Sequence, residues 1–372
     1  MSSLKPLSVY IHIPFCIQKC LYCDFLSYPA PDEDKYSYVN LLLAEIEQQS
    51  QFYDSHSIIS VFIGGGTPSV LEASEIERML CKLKENFHIE NESEITIEVN
   101  PGTVTEEKLA SYLNSGINRL SIGLQSADDG ELQTLGRIHD YKAFCDTYEL
   151  ARKVGLKNIN VDLMSAVPGQ TVDSYHETLK KVLKYEPEHI SAYSLILEEG
   201  TWFYENRDKL KLLTEDEDRI LYEMTDKMLS ESGYHRYEIS NYAKDGYECV
   251  HNKVYWQRGD YVGFGLGAAS MVGNVRWNNA RDINKYRLLL KENEQILNKE
   301  EQMEEFMFLG LRLIKGVKKD DFKKKFGVSI EDVYGEVIEK LRKDGLIIVD
   351  DYIRLTSYGI DISNYVMAQF LF

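Results

Sequence analysis

An alternation of short apolar runs with amphipathic runs over the first half of the chain limits the folds that it can adopt. Apolar runs rich in Val, Ile and Leu predict six β-strands, at residues 8–13, 58–64, 94–99, 119–124, 158–164 and 189–195. Amphipathic runs between them predict helices at residues 35–51, 74–86, 105–115, 141–154 and 171–185. Repeated β–α units predict an α/β fold with a parallel sheet and right-handed crossovers. Six units suit a partial (β/α)6 barrel, because a closed eight-stranded barrel needs about 250 residues of the same pattern.

The second half of the chain predicts two further regions. Residues 201–297 are irregular and rich in Tyr, Trp and Gly, with one clear helix at 218–232. Residues 298–372 predict helices at 301–313, 320–326 and 330–344, followed by a small hairpin at 346–349 and 352–355. We therefore expect three domains: a barrel over 1–200, an irregular extension over 201–297, and a mainly helical, winged-helix-like C-terminal domain over 298–372. We expect this last domain to cover the mouth of the barrel.

Composition excludes several classes of protein. The formal net charge is -18 and the pI about 5.0, so the surface repels nucleic-acid phosphates, and no nucleic-acid partner is expected. The lysine run at 323–325 has acids interspersed around it and is typical of a solvated helix face. No apolar run reaches the ~20 residues of a transmembrane helix, and the N-terminus lacks a secretory pattern. Cysteine usage does not suggest a disulfide framework, so we expect a cytoplasmic location.

Three of the six cysteines lie within eight residues, directly after the first predicted strand. Cys16, Cys20 and Cys23 have the spacing C-x3-C-x2-C, which allows three thiolates to hold three corners of a 4Fe-4S cluster. Most such sites use four cysteines, so a three-cysteine site leaves one iron open to another ligand. The alternative is a zinc site completed by His12 or Asp24. The C-x3-C gap is unusual for zinc, where C-x2-C dominates.

Several further segments strengthen the first interpretation. They are YIHIPFC at 10–16, GGGTPS at 64–69, EVNPGT at 98–103, RLSIGLQS at 119–126, VDLMSAVPGQT at 161–171 and HNKVYW at 251–256. With the cysteine motif, these segments make the sequence similar to the radical S-adenosylmethionine (radical SAM) superfamily. Within it, the chain resembles the group that contains oxygen-independent coproporphyrinogen III dehydrogenase and the haem chaperone HemW. The resemblance implies a radical SAM partial barrel, a 4Fe-4S cluster and bound S-adenosylmethionine.

The resemblance also assigns residues to S-adenosylmethionine. Tyr10, Tyr22, Gly66 and Glu98 match the first S-adenosylmethionine site of the family. Positions that hold a second S-adenosylmethionine in the dehydrogenase are matched by Thr67, Gln125, Arg137 and Asp162. Taken alone, the glycines would indicate a tight β–α turn, the acids exposed strand ends, and Arg137 a surface residue. The presence of both residue sets does not establish how many S-adenosylmethionine molecules bind, one or two.

Two departures separate this chain from the dehydrogenase. The dehydrogenase has a fourth cysteine two residues after the third, where this chain has Phe25, and a longer segment before the motif, where this chain has 15 residues. The resemblance therefore implies a haem chaperone that passes haem to an acceptor protein, which could be membrane-associated, with an electron donor for the cluster. The alternative is the dehydrogenase or another radical oxidoreductase of porphyrin metabolism, although oxidative decarboxylation of coproporphyrinogen III is disfavoured.

His251 is the leading candidate for the haem ligand. Imidazole and cysteine thiolate both serve as axial ligands of haem iron, and Cys249 lies two residues before His251. Aromatic residues at 255 and 256 offer surface that could cover a porphyrin face. A lone histidine is more often structural, so the prediction depends on the resemblance of HNKVYW to the chaperones.

Overall fold

The computed structural model describes residues 4–372, and an open twelve-stranded sheet organises most of it. Two sheets contain the strands β1 (Lys5–Ile13), β2 (His56–Gly65), β3 (Ile89–Val99), β4 (Arg119–Gln125), β5 (Asn158–Ser165), β6 (His189–Ser194), β7 (His235–Glu238), β8 (Asn241–Ala243), β9 (Tyr261–Phe264), β10 (Ala269–Val272), β11 (Val275–Asn279), β12 (Lys291–Ile296), β13 (Val317–Lys318), β14 (Ile347–Val349) and β15 (Tyr352–Leu355). The helices are α1 (Asp32–Ser50), α2 (Ala73–Asn86), α3 (Glu106–Ser115), α4 (Asp129–Thr134), α5 (Tyr141–Lys153), α6 (Val172–Leu183), α7 (Trp202–Glu205), α8 (Glu215–Glu231), α9 (Val250–Trp256), α10 (Ile283–Tyr286), α11 (Lys299–Gly310), α12 (Lys319–Phe326), α13 (Ile330–Lys343), α14 (Ser357–Asp361) and α15 (Ser363–Ala368).

The α/β fold with a parallel, unclosed sheet is confirmed. The strand order is β12-β11-β10-β9-β1-β2-β3-β4-β5-β6-β8-β7, and β1 to β6 pair in parallel. A seventh parallel strand, β9, pairs with the outer side of β1. Antiparallel strands then extend both edges, and all of these additions come from the region expected to be irregular.

Side-chain alternation along the strands separates an apolar face from a polar one. Val9, Ile11, Val61, Ile63 and Ile97 are fully buried under the surrounding helices. The opposite, concave face of the sheet therefore carries the polar residues of each strand, and this face positions the candidate site.

Several helices begin at a Ser, Thr or Asp cap. For example, the Thr171 side chain accepts a hydrogen bond from the Ser174 amide at the start of α6.

Helix α9 fills the amino-terminal half of that concave face. Ser60 of β2 hydrogen-bonds the ring of His251, and the Glu94 carboxylate of β3 accepts from the backbone amides of Val250 and His251 at 3.0 and 3.1 Å. A carboxylate that accepts the free amides at a helix start satisfies donors that otherwise lack partners. The HNKVYW segment therefore forms the floor of the partial barrel.

The C-terminal region folds around a core of its own. Helices α11 to α13 pack with a three-stranded sheet of order β13-β15-β14, which is a winged-helix-like arrangement. Buried Glu305 of α11 pairs with Arg258, which follows α9, so this region is anchored near the floor of the barrel. None of residues 298–372 lines the cavity at the barrel mouth, and the expectation that they cover it is wrong. Across residues 4–372, no helix has both the length and the apolarity needed to cross a bilayer.

Candidate functional site

A cavity of about 350 Å³ opens where the parallel strands end at their carboxyl termini. This is the edge at which ligands bind in parallel α/β sheets. The cavity is lined by residues of successive strands and of the segments that follow them: Cys16, Gln18, Cys20, Tyr22, Cys23, Phe25, Ser27, Gly65, Gly66, Thr67, Glu98, Val99, Asn100, Ser121, Gly123, Gln125, Arg137, Asp162, Met164 and Tyr193. The structure thus brings the three cysteines together with seven of the eight residues assigned to S-adenosylmethionine.

The cysteines lie on the loop after β1, which several backbone hydrogen bonds hold in place. The Cys16 amide donates to the Tyr28 carbonyl, and the Leu21 amide donates to the Leu135 carbonyl, both at 3.1 Å. All three thiols are partly accessible. Within residues 4–372, no three His, Cys, Asp or Glu side chains converge on one point suitable for a single metal ion. The loop therefore presents three partly accessible thiols to the cavity.

His12, one of the two fourth ligands proposed for the zinc alternative, bonds to other protein groups. The Nδ1 atom of His12 lies 2.9 Å from the Tyr10 hydroxyl, and its Nε2 atom lies 2.8 Å from the Leu26 carbonyl oxygen. Both ring nitrogens are therefore engaged, and burial lowers the pKa of His12. Tyr10 is the one assigned residue that does not line the cavity; it packs behind the cavity against Phe62 and His12.

Gly66 allows the strand end to approach the cysteine loop closely. A Cβ atom at this position would lie 2.6 Å from the Phe15 carbonyl oxygen and 3.0 Å from the Cys16 sulfur. The neighbouring Thr67 is buried, and its amide donates to the same Phe15 carbonyl at 2.7 Å. A side chain at position 66 would therefore separate the GGGTPS segment from the cluster loop.

Glu98 and Asp162 make the cavity electrostatically suited to a cation. Burial, together with the nearby negative charge of Asp162, raises the pKa of Glu98 to about 8. Burial also raises the pKa of Asp162. Ionising both carboxyls in this partly dry space is costly unless a positive charge enters. S-adenosylmethionine carries two such charges, an ammonium and a sulfonium, so the residues present fit it.

Gln125 reaches the cavity through an unusual backbone conformation. Its φ angle is +71°, which places a non-glycine residue in the left-handed region at the end of β4, beside a register shift in the pairing with β5. Such conformations cost free energy and cluster at ligand sites. The turn directs the chain from the strand into the segment that carries Arg137.

His251 lies at the opposite end of the strands. It is 2% exposed, with Nδ1 3.0 Å from the Ser60 hydroxyl and Nε2 2.8 Å from the Tyr255 hydroxyl. Ser60 precedes the cavity residue Gly65 by five positions, a distance of roughly 16 Å along a strand. Burial lowers the pKa of His251 to about 3. The structure therefore offers neither nitrogen of His251 to a haem iron, and coordination would require the ring to leave the sheet interior.

Sequence reasoning missed several lining residues, notably Asn100, Ser121, Gly123 and Tyr193. Asn100 lies just beyond the predicted strand 94–99, and the other three lie within the predicted strands 119–124 and 189–195, so the alternation of side chains along these strands could have found them. Asn100 also lies inside the EVNPGT segment that was already singled out.

Comparison with known proteins finds relatives over the whole chain. The radical SAM superfamily profile matches residues 10–182, and the HemN C-terminal domain profile matches residues 297–362. The heme chaperone HemW of Lactococcus lactis is 36% identical, covering 99% of this chain and 98% of the relative. The Escherichia coli heme chaperone HemW is 33% identical, covering all of both chains. Among solved structures, Escherichia coli coproporphyrinogen III oxidase (HemN), a radical SAM enzyme, has a TM-score of 0.87 at 24% identity, covering 99% of this chain and 90% of that one, which shows a shared fold.

Proposed function

Because this chain belongs to the HemW family of radical SAM proteins, we propose that it is a haem chaperone, which binds haem and transfers it to an acceptor protein. It carries a 4Fe-4S cluster on Cys16, Cys20 and Cys23, with S-adenosylmethionine beside the cluster. It acts in the cytoplasm, where a reductant supplies the electron for the cluster and keeps the thiols reduced.

The observation that carries the cluster and S-adenosylmethionine assignment is the single cavity that the cysteines share with the family's binding residues. When bound, a cluster with one open iron supplies an electron to the sulfonium of S-adenosylmethionine. The chain's own residues hold and orient the ligand. Gly66 permits close approach, Glu98 and Asp162 meet the cationic groups, and the positive charge of Arg137 beside the cavity attracts the ligand's carboxylate.

Iron analysis tests the cluster. Anaerobically reconstituted protein should contain about four irons, and alanine at Cys16, Cys20 or Cys23 should abolish the cluster. Cys81 is exposed on α2 and Cys145 lies on α5, away from the loop, so Cys81→Ala and Cys145→Ala are the matched controls and should retain it. Loss of iron from either control as complete as from the loop variants would contradict the assignment.

Haem binding is tested by a titration followed at the Soret band, run beside an assay of coproporphyrinogen III oxidation. We expect a saturable Soret change and no porphyrinogen turnover. The dehydrogenase's fourth cysteine is Phe25 here, whose side chain is 61% exposed beside the cavity. Absence of haem binding by cluster-loaded protein would overturn the chaperone proposal, and turnover would support the enzyme.

The haem ligand is a separate element of the proposal. The sequence favours His251, but in this structure one ring nitrogen bonds Ser60 of β2 and the other bonds Tyr255 within α9. We therefore expect haem to bind without His251 while α9 keeps this position. Haem titration of His251→Ala, with Cys249→Ser as the control for the neighbouring sulfur, decides between the two assignments.

A further inference from the structure

Asn100 connects two side chains that point at the cysteine loop. Its Nδ2 atom donates to the Thr67 hydroxyl at 2.9 Å, and its Oδ1 atom accepts from an Arg137 Nη2 group at 2.8 Å. Arginine has no acceptor, so the amide oxygen must face Arg137 and the amide nitrogen must face Thr67. The chemistry of its two partners therefore fixes the orientation of Asn100.

Each partner donates to a different cysteine. The Thr67 hydroxyl lies 3.5 Å from the Cys16 sulfur, and the Arg137 Nη1 group lies 3.5 Å from the Cys20 sulfur. Hydrogen bonds to cluster sulfurs are among the factors that set the reduction potential. A donor stabilises the additional negative charge of the reduced cluster, so each of these two bonds favours reduction.

Gly123 provides the space for this arrangement. A Cβ atom there would lie 3.1 Å from Asn100 Oδ1 and 3.2 Å from Arg137 Nη2, closer than most side-chain contacts allow. Its backbone lies within β4, so the glycine is needed for the space and not for an unusual turn. The Gly123 carbonyl also accepts a hydrogen bond from Arg137 Nη2, which holds the guanidinium against the network.

We infer that Asn100 is a positioning residue that raises the reduction potential of the cluster by aligning Thr67 and Arg137 with two of its sulfurs. The inference rests on the proposed cluster at Cys16, Cys20 and Cys23. Asn100 itself contacts none of the three sulfurs in the described hydrogen bonds, so its effect passes through its two partners.

The test is a redox titration of anaerobically reconstituted protein, with the reduced cluster followed by electron paramagnetic resonance. Asn100→Ala should lower the ratio of reduced to oxidised cluster at a fixed potential about tenfold, which is about 59 mV for one electron. Thr67→Val removes one donor and should shift the potential in the same direction by a smaller amount. If Asn100 acts through Thr67, the double variant should shift by less than the sum of the two single shifts.

Asn118 is the matched control, because its amide also bridges two groups in the same sheet. It accepts from the Ile95 amide and donates to the Ser93 carbonyl, both at 2.8 Å, and it does not line the cavity. Asn118→Ala should leave the potential unchanged. Full iron content with a wild-type potential in Asn100→Ala would overturn the inference, as would an equal shift in Asn118→Ala. A wild-type protein that binds no cluster would instead overturn the proposed function.

Discussion

Replacing Glu98 with glutamine removes a carboxyl group whose pKa in the ligand-free protein is about 8, raised first by burial and then by the charge of Asp162. The ordinary pKa of this group is 4.5. Between these two values the unfolded chain has released a proton that the folded protein retains. The free energy of unfolding therefore falls as pH rises through this window. Glu98 has no effect on it below pH 4.5, and above pH 8 the reduction has reached its full size and no longer changes with pH.

The size of this effect follows from the difference between the two pKa values. The difference between pH 7.5 and the unfolded-state pKa is about 3 units, which corresponds to about 4 kcal/mol at 1.36 kcal/mol per unit. Because water in the open cavity screens the charge, we take about half of this free energy, or about 2 kcal/mol. An unfolding entropy of about 2.1 cal/mol/K per residue gives about 0.8 kcal/mol/K for a chain of this length. Glu98→Gln should therefore raise the Tm by about 2–3 °C at pH 7.5–8 and by about 1 °C or less at pH 5.

Thermal denaturation of the anaerobic protein at both pH values, followed by circular dichroism, measures this difference. S-adenosylmethionine should stabilise the wild type more than Glu98→Gln, because its cationic groups favour the ionised carboxylate. Glu131→Gln is the control, since Glu131 is a buried carboxylate that accepts hydrogen bonds from Ser126, Gln170 and Ser174. It should lower the Tm at both pH values. A Glu98→Gln protein whose Tm depends on pH as the wild type's does would refute the reasoning.

Three further predictions concern ligands. His251→Ala removes two buried hydrogen bonds and should lower the stability by about 2–4 kcal/mol, seen as a lower Tm, while the Soret titration stays as in the wild type; loss of haem binding by the folded variant, with Cys249→Ser unaffected, would establish His251 as the ligand. S-adenosylmethionine should change the electron paramagnetic resonance spectrum of the reduced cluster, and Glu98→Ala should weaken the change; an unchanged spectrum at saturation would argue against an open iron. With Phe25 in place of a fourth cysteine, the purified protein should form no protoporphyrinogen IX from coproporphyrinogen III, and sustained turnover would contradict this.

The sequence predicts the parallel strands because each is a long apolar run between helices. Strand β4 begins at the predicted residue Arg119, and the other five strands also begin within a few residues of prediction. Strand β9 and its antiparallel neighbours escape prediction because they are short, and β12 has almost entirely polar side chains. Tyr261–Phe264 is only four residues long, and its pairing partner, β1, lies some 250 residues away in the sequence. Pairing at this separation depends on tertiary structure, which a local pattern does not contain.

The candidate site is predicted better than its surroundings, since strand ends converge in any parallel sheet. Residue type alone does not say which way a motif faces. HNKVYW contains the imidazole, hydroxyl and aromatic groups suited to haem, but Glu94 fixes the start of α9 inside the sheet, so these groups bond to the protein itself. Ser60 and Glu94 look like solvent-facing positions of amphipathic strands, and only the curvature of the sheet turns them inward.

Two carboxylates on β3 show why the ligand site lies at one end of this polar face. Glu94 accepts hydrogen bonds from the amides of Val250 and His251 and from the Cys249 thiol. Among the described residues, Glu98 accepts one hydrogen bond, from the Gly65 amide, and its pKa is raised to about 8. Both residues lie on the same face of the strand, four positions apart, so their surroundings and not their residue type decide their roles. At the Glu94 end of the concave face, the polar groups are hydrogen-bonded within the protein and hold α9. At the Glu98 end, a buried carboxyl group has few hydrogen-bond partners, and this favours the binding of a cationic ligand.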